Sequence, residues 1–417
     1  MKRIEIVLNV TNGCNLDCHY CYYASEMKNR PSNMRIEMVE SIIRNVANSD
    51  AESIHFSIHG GEPLLRKSHY LDNIFKLQQR YLHDREVRNS IQTNGTLFDE
   101  KFIADYRAIV MSGVNVGLGV SLDGPKYIHD SSRVYKKNTH GSYEDVMRGI
   151  ELLAENNIEI ALLSVANLNY AAQSHELYPF YKSLTNVHFL DLLVPRKDSF
   201  PTAKKDSLSI LFNRVFDDWF YDADSRFEIR FFCSVIIALL TEKSVLCTFQ
   251  ENCILNQNMI SIAPDGDSSF CDSFPLVSLG NILDDSLDAL IDRRNKTRMK
   301  WSVKEEQRME HCLFCKYYKV CHGGCPADYS TEGIIGPFFC DQYKRIFNHI
   351  ETAMYETGID REHGLCEENI LKFPNPALQS YLMHRGMGNR SNDNNTRQIK
   401  SQNATLSTKQ QGMNWRG

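Results

Sequence analysis

The sequence predicts an α/β protein in which a partial (β/α)6 barrel of the TIM type is followed by a small cysteine-rich unit. Three observations predict it. Up to about Val194, short β-rich runs alternate with longer amphipathic stretches in six β-then-α repeats, fewer than the eight of a closed barrel. Four of the strand candidates run into loops carrying polar residues or glycines, and parallel sheets carry their chemistry at such C-terminal strand ends. From Cys247 the chain is crowded with cysteine and short of apolar runs, which makes that segment metal-organised.

In chain order, the strand candidates are residues 4–10, 53–58, 87–92, 114–121, 158–166 and 187–193. The helix candidates between them are residues 36–47, 70–81, 101–111, 143–156 and 174–183, with apolar residues at helical spacing, as in Val39, Ile42, Ile43 and Val46. These units make a barrel domain of residues 1–200. Residues 201–245 read as a helical linker with helices at 207–221 and 231–241, where Cys233 in an apolar run is a buried, inert thiol. Residues 246–345 form the cysteine-rich domain, in which 259–266 reads as a strand and turn. Residues 346–385 are a helical extension. Residues 386–417, rich in Asn, Ser, Gln, Arg and Gly, read as a disordered tail that the lone Trp415 does not anchor. Cys366 has no assignment.

At 417 residues the chain can bury a large core, and 42 % hydrophobic with 24 % charged residues describes a soluble globular protein. A formal net charge of -5 gives no electrostatic case for nucleic acid or an anionic membrane as partner. No apolar run approaches membrane-spanning length, and the N-terminus opens on a strand-like segment without a signal-peptide core. The expectation is a cytoplasmic protein, where thiols stay reduced and an odd total of 13 cysteines fits metal better than disulfides.

The first strand candidate is followed by Cys14, Cys18 and Cys21 at C-x3-C-x2-C, a loop able to aim three soft thiolates at one iron–sulfur, zinc or copper(I) centre. Three ligands on a cubane leave one iron open to a small molecule. A zinc knuckle with His19 as fourth ligand, or buried structural cysteines, satisfies the same spacing. The second strand runs into His59-Gly60-Gly61-Glu62-Pro63, where paired glycines admit a close ligand and Glu62 can accept from an ammonium group. The third runs into Gln92-Thr93-Asn94-Gly95-Thr96 and the fourth into Ser121-Leu122-Asp123-Gly124-Pro125, where Ser121 and Asp123 can bond ribose hydroxyls. Cys247, Cys253, Cys271, Cys312, Cys315, Cys321, Cys325 and Cys340 are enough for two four-thiolate sites, and spacing alone does not separate zinc from clusters.

Taken together, these residues resemble the radical S-adenosylmethionine (SAM) enzymes, and more narrowly the subgroup with a C-terminal SPASM domain. That subgroup includes anaerobic sulfatase-maturating enzymes and many peptide maturases. Cys14, Cys18, Tyr20 and Cys21 match the cluster motif, Gly60 to Pro63 the Gly-Gly-Glu-Pro motif, and Cys253, Gly266 and Cys271 the opening of the SPASM signature. The resemblance implies that a [4Fe-4S] cluster on Cys14, Cys18 and Cys21 holds SAM and reduces it to a 5′-deoxyadenosyl radical that takes hydrogen from a substrate. It implies that Glu62 meets the SAM amino group, with Gly60 and Gly61 also at the cofactor, and that Arg133 pairs with the SAM carboxylate. Ser121 and Asp123 would lie at the ribose or carboxylate, with Asn94 and Tyr20 nearby. It implies two auxiliary [4Fe-4S] clusters, the first on Cys247, Cys253, Cys271 and Cys325, the second on Cys312, Cys315, Cys321 and Cys340. Asp272 matches the general base of sulfatase maturation. A flavodoxin- or ferredoxin-type protein would donate electrons.

The resemblance points to a peptide or protein substrate. Sulfatase maturases usually carry Gln before Gly-Gly-Glu-Pro, and here His59 stands there. That departure favours crosslinking of a ribosomally made precursor peptide, with oxidation of Cys or Ser to formylglycine as the alternative. A non-catalytic iron–sulfur or zinc protein is a third reading, against which the three-ligand site and the Gly60 to Pro63 loop both argue.

Overall fold

A computed structural model describes residues 3–23, 33–196, 199–204, 206–250, 259–272, 278–296, 312, 314–325, 338–359, 361–362 and 364–387. Six parallel strands form its centre: β1 (Arg3–Thr11), β2 (Ser53–Gly60), β3 (Glu86–Thr93), β4 (Val116–Ser121), β5 (Ile160–Val165) and β6 (Val187–Leu193). The short β7 (Glu228–Ile229) adds beside β6, while β8 (Met259–Ile262), β9 (Asp267–Ser269) and β10 (Ser278–Asn281) extend the other side. The order is β10-β9-β8-β1-β2-β3-β4-β5-β6-β7. Strands β1 to β6 pair in parallel register, as in Ile6 with Phe56 and Ile58 with Ile91. This is the expected partial barrel, with one difference of substance. β8, from the cysteine-rich segment, pairs in parallel with β1 from Glu5 to Leu8, so that segment closes an edge of the barrel sheet.

Strand alternation divides β2 cleanly. Ile54, Phe56 and Ile58 are buried on the helix side, while His55, Ser57 and His59 are only half-buried on the inner face. The inner face is polar: His55 Nε2 lies 3.1 Å from Ser90 Oγ, and Gln92 Nε2 donates to Ser121 Oγ at 3.1 Å. A lumen of this kind is built to receive something polar.

Helices α1 (Ile36–Ala47), α2 (Ser68–Tyr81), α3 (Glu100–Met111), α4 (Lys126–Asp130), α5 (Tyr143–Glu155) and α6 (Leu177–Ser183) connect the strands. In α1 the buried positions are Val39, Ile42, Ile43 and Val46, as their spacing requires. The helix expected at 174–183 starts later, at Leu177, after a 3-10 segment from Leu168 to Glu176. Asn167 caps that segment by accepting from the Asn169 N–H at 3.2 Å, and Pro179 is tolerated in the first turn of α6, where no N–H is needed. α7 (Ser207–Phe220) and α8 (Arg230–Thr241), read as a linker, are core elements. Phe212, Phe216, Trp219, Phe220, Phe231 and Phe232 are buried there. The expected helical extension contains most of α9 (Cys340–Glu356) and of α10 (Pro376–Met387), which continues through Gly386 and Met387, two residues read as tail. Positions 388–417, Trp415 included, lie outside the described residues. Among the described residues no helix is long and apolar enough to cross a membrane.

Candidate active site

The loop after β1 carries Cys14, Cys18 and Cys21 and is tied down on three sides. Gly61 N–H donates to Thr11 O at 2.7 Å and Glu62 N–H to Gly13 O at 2.8 Å, so the end of β2 lies directly on the loop. The glycines make this possible: a Cβ on Gly60 would come 2.3 Å from Thr11 O, and one on Gly61 2.2 Å from Gly13 O. What the missing side chains clear in this structure is the cysteine loop's own backbone. On the second side, Asn94 Nδ2 donates to Asn15 Oδ1 at 2.8 Å and lies 3.8 Å from Cys14 Sγ, while Asn15 Nδ2 donates to Thr96 Oγ1 at 2.8 Å. On the third, Asp17 N–H donates to Val134 O at 2.8 Å and His19 N–H to Ser132 O at 3.0 Å.

Burial pushes the Cys14 and Cys18 thiols up, Cys18 to about 12, with the Arg133 guanidinium pulling Cys18 back down. Three soft sulfur donors on one short loop, Cys14 and Cys18 half-buried and Cys21 exposed, are the donor chemistry that an iron–sulfur cluster takes.

Glu62 is fully buried and accepts three hydrogen bonds, from Leu64 N–H at 2.9 Å, Thr93 Oγ1 at 2.7 Å and Asn94 N–H at 2.6 Å. No cationic side chain partners it among the described residues, and burial raises it to about 6. A buried carboxylate with donors but no counter-charge is suited to an ammonium group such as that of SAM.

Asp123 and Arg133 form a buried pair, Nε to Oδ2 at 2.9 Å. Tyr20 donates its hydroxyl to the same Oδ2, and the guanidinium carbon lies 5.4 Å from the centre of the Tyr20 ring. Ser121 Oγ accepts from Gln92, as above. Asp272, expected as a base, accepts from Tyr22 Oη at 2.6 Å. Its charge reaches both Glu5 on the inner face of β1 and Cys247, which also feels Arg230 and Asp191. Nothing in the sequence marks Tyr22, since a tyrosine beside a cysteine is no signal by itself. The same holds for Arg230, which donates to Asp191 Oδ2 at 2.9 Å across the lumen wall.

In the cysteine-rich segment, Cys312, Cys321 and Cys340 have their thiols pushed up mainly by burial. Neighbouring thiols, among them Cys315, add to the rise in each case, so these four share one locality. Of the other expected set, Cys247, Cys271 and Cys325 are described, and Cys253 lies outside the described residues. Among the described residues no three of the ligating types stand close enough together to hold a metal ion as placed.

Comparison with known proteins identifies two regions. Residues 8–169 match the radical SAM superfamily and residues 253–326 an iron–sulfur cluster-binding domain, SPASM. The cysteine-type anaerobic sulfatase-maturating enzyme of Clostridium perfringens (strain 13) is 30% identical over 368 residues, covering 82% of this chain and 95% of that enzyme. The serine-type enzyme of Bacteroides thetaiotaomicron is 28% identical over 86% of this chain and 92% of its own length. Among solved structures, native anSMEcpe with bound AdoMet superposes with a TM-score of 0.72 at 26% identity, covering 85% of this chain and 98% of that one. Native anSMEcpe with bound AdoMet and the Cp18Cys peptide superposes with a TM-score of 0.70 at 26% identity, over 85% of this chain and 98% of its own. The chain therefore belongs to the radical SAM enzymes with a SPASM domain, close to the anaerobic sulfatase-maturating enzymes, which pair a SAM-binding [4Fe-4S] cluster with auxiliary clusters.

Proposed function

We propose that this enzyme oxidises a cysteine or serine side chain of a peptide or protein substrate to formylglycine. Cys14, Cys18 and Cys21 hold the cluster that SAM meets, and Glu62 receives the SAM amino group. The two auxiliary clusters belong to Cys247, Cys253, Cys271 and Cys325, and to Cys312, Cys315, Cys321 and Cys340. When bound, SAM and the clusters supply a radical that takes one hydrogen atom from the substrate Cβ, and take up the electron left behind.

The chain's own part is the second hydrogen, which leaves as a proton from the substrate thiol or hydroxyl, giving the aldehyde directly from a serine and, from a cysteine, a thioaldehyde that water hydrolyses with release of sulfide. Asp272 accepts it. The observation that carries this reading is the 2.6 Å bond from Tyr22 to Asp272. It fastens a carboxylate from the cysteine-rich segment to the very loop that bears Cys14, Cys18 and Cys21, at the mouth of a polar lumen. One oxygen of that carboxylate accepts from Tyr22, which orients the other for proton transfer. The similarity to cysteine- and serine-type sulfatase-maturating enzymes along nearly their whole length supports the same chemistry. A flavodoxin- or ferredoxin-class protein is the electron donor.

Crosslinking of a precursor peptide is the second reading, and His59 favours it. Its Nδ1 is buried without a hydrogen-bond partner among the described residues at the end of β2, next to Gly60, and that end lies on the cysteine loop. The half-buried ring stands beside that loop, where a change of residue can alter which substrate side chain is accepted.

The test is anaerobic reaction with SAM, a reductant and a peptide carrying the sulfatase motif, read by mass spectrometry. Loss of two hydrogens from a serine, or loss of two hydrogens together with exchange of sulfur for a water oxygen and release of sulfide from a cysteine, with a carbonyl captured by hydrazine, is the expected result. Asp272→Asn should lower the aldehyde by about a hundredfold or more while 5′-deoxyadenosine still forms. A crosslinked product without a carbonyl, made from a precursor peptide alone, would overturn the formylglycine reading in favour of the second.

A further inference from the structure

We infer that Arg133 acts on the cluster itself: its guanidinium donates to the Cys18 sulfur and raises the reduction potential of the centre held by Cys14, Cys18 and Cys21. The inference rests on that ligand set and on neither reading of the substrate.

Backbone register makes Arg133 the residue that faces Cys18. Asp17 donates to Val134 O and His19 to Ser132 O, so the residues on either side of Cys18 pair with those on either side of Arg133. Side chains at the two middle positions are thereby brought opposite one another. Arg133 Nη1 lies 3.9 Å from Cys18 Sγ. The guanidinium is held there. Its Nε and Nη2 donate to Asp123 at 2.9 and 3.3 Å, and its side chain is only 9% exposed. Its carbonyl accepts from Ser142 Oγ at 3.0 Å, and Ser142 is fixed in turn by His129 at 3.0 Å.

Asp123 has no acceptor capacity to spare. Oδ1 accepts from Val165 N–H at 3.0 Å and from Arg133 Nη2, and Oδ2 accepts from Arg133 Nε and the Tyr20 hydroxyl. Two donors on each oxygen fill a carboxylate. A ribose hydroxyl would find no free lone pair, so Asp123 positions Arg133 instead of gripping SAM. A cationic donor on a cluster thiolate stabilises the reduced, more negative state, and hydrogen bonds and charge at the sulfurs are known levers on cluster potential. Asn94 Nδ2 approaches Cys14 Sγ at 3.8 Å as a neutral counterpart, whereas Cys21 is exposed.

Wild type, Arg133→Gln and Arg133→Lys would be reconstituted anaerobically and titrated reductively without SAM, following the reduced cluster by electron paramagnetic resonance. The signal of this cluster is the one that changes when SAM is added. SAM affinity and iron and sulfide content are measured alongside. Arg133→Gln should retain iron and sulfide yet reduce at a more negative potential with SAM absent. Arg133→Lys, which keeps the charge but not the fork onto Asp123, should fall between. An unchanged SAM-free potential in both variants, with weakened SAM binding, would overturn the inference and make Arg133 a ligand of the SAM carboxylate alone. Should Arg133→Gln fail to retain its cluster, Arg133→Lys alone decides between the two.

Discussion

Glu62 carries a charge that the protein alone does not neutralise. Its folded value of about 6 stands above the ordinary 4.5 because burial outweighs three hydrogen bonds. Each pH unit of displacement is worth about 1.4 kcal/mol, so keeping Glu62 ionised in the SAM-free protein costs about 2 kcal/mol. A raised carboxylate contributes stability that is full below about pH 4.5 and lost as pH rises through about 6. An ammonium ligand reverses the sign of that effect, because it interacts with the ionised form. SAM affinity measured calorimetrically should therefore weaken as pH falls through about 6, by up to about tenfold per pH unit. Glu62→Gln should bind SAM about ten- to a hundredfold more weakly, as expected for losing a charge-assisted bond, and should lose the pH slope. Wild-type affinity with an unaltered slope in the variant would remove Glu62 from the SAM site.

The element that matters most is the contact between the end of β2 and the cysteine loop. Its two backbone bonds exist because Gly60 and Gly61 carry no side chains. Gly61→Ala would drive a Cβ to 2.2 Å from Gly13 O, which only a shift of the cluster loop can relieve. The expected outcome is a loss of about 1–3 kcal/mol of stability together with a fall in bound iron and sulfide. Gly113→Ala is the control. Gly113 has a φ of +87° but, among the described residues, nothing within 4 Å of its missing Cβ, so it should cost about 1–2 kcal/mol of backbone strain and leave iron content unchanged. Equal iron content in both variants would reduce the glycine pair to a simple turn. The sequence made this element visible because strand period, glycine pair and cysteine spacing are all local patterns. What it could not show is tertiary. Arg133 faces Cys18 through the pairing of two irregular loops, which leaves no period to read. Tyr22 meets Asp272 across 250 positions. α8 reads as apolar almost all round, which signals burial without saying against what.

At the scale of the molecule, that burial joins barrel and cysteine-rich segment into one core. β8 lies against β1, leaving β1 an interior strand. Ser209 Oγ in α7 donates to Gln342 Oε1 in α9 at 2.8 Å, and Asn375 Nδ2 donates to Trp219 O at 2.6 Å. Phe231 packs on Phe249, Phe216 on His349 and Phe220 on Phe373, each pair joining α7 or α8 to residues beyond Cys247. The seam proposed from the sequence at residues 201–245 is thus crossed by hydrophobic contacts, and a fragment ending at Glu242 tests whether it is a domain boundary. Such a fragment exposes Phe216, Phe220 and Phe231, a loss on the order of 5 kcal/mol, comparable with the whole stability of many domains. It also leaves β1 from Glu5 to Leu8 paired with β2 alone, an open edge on an apolar strand that invites association. The fragment should elute as aggregate in size-exclusion chromatography and lack a cooperative thermal transition, while the intact chain melts as one unit. A monomeric fragment with a sharp transition would instead establish the barrel as an autonomous domain, with the cysteine-rich segment an attachment to it.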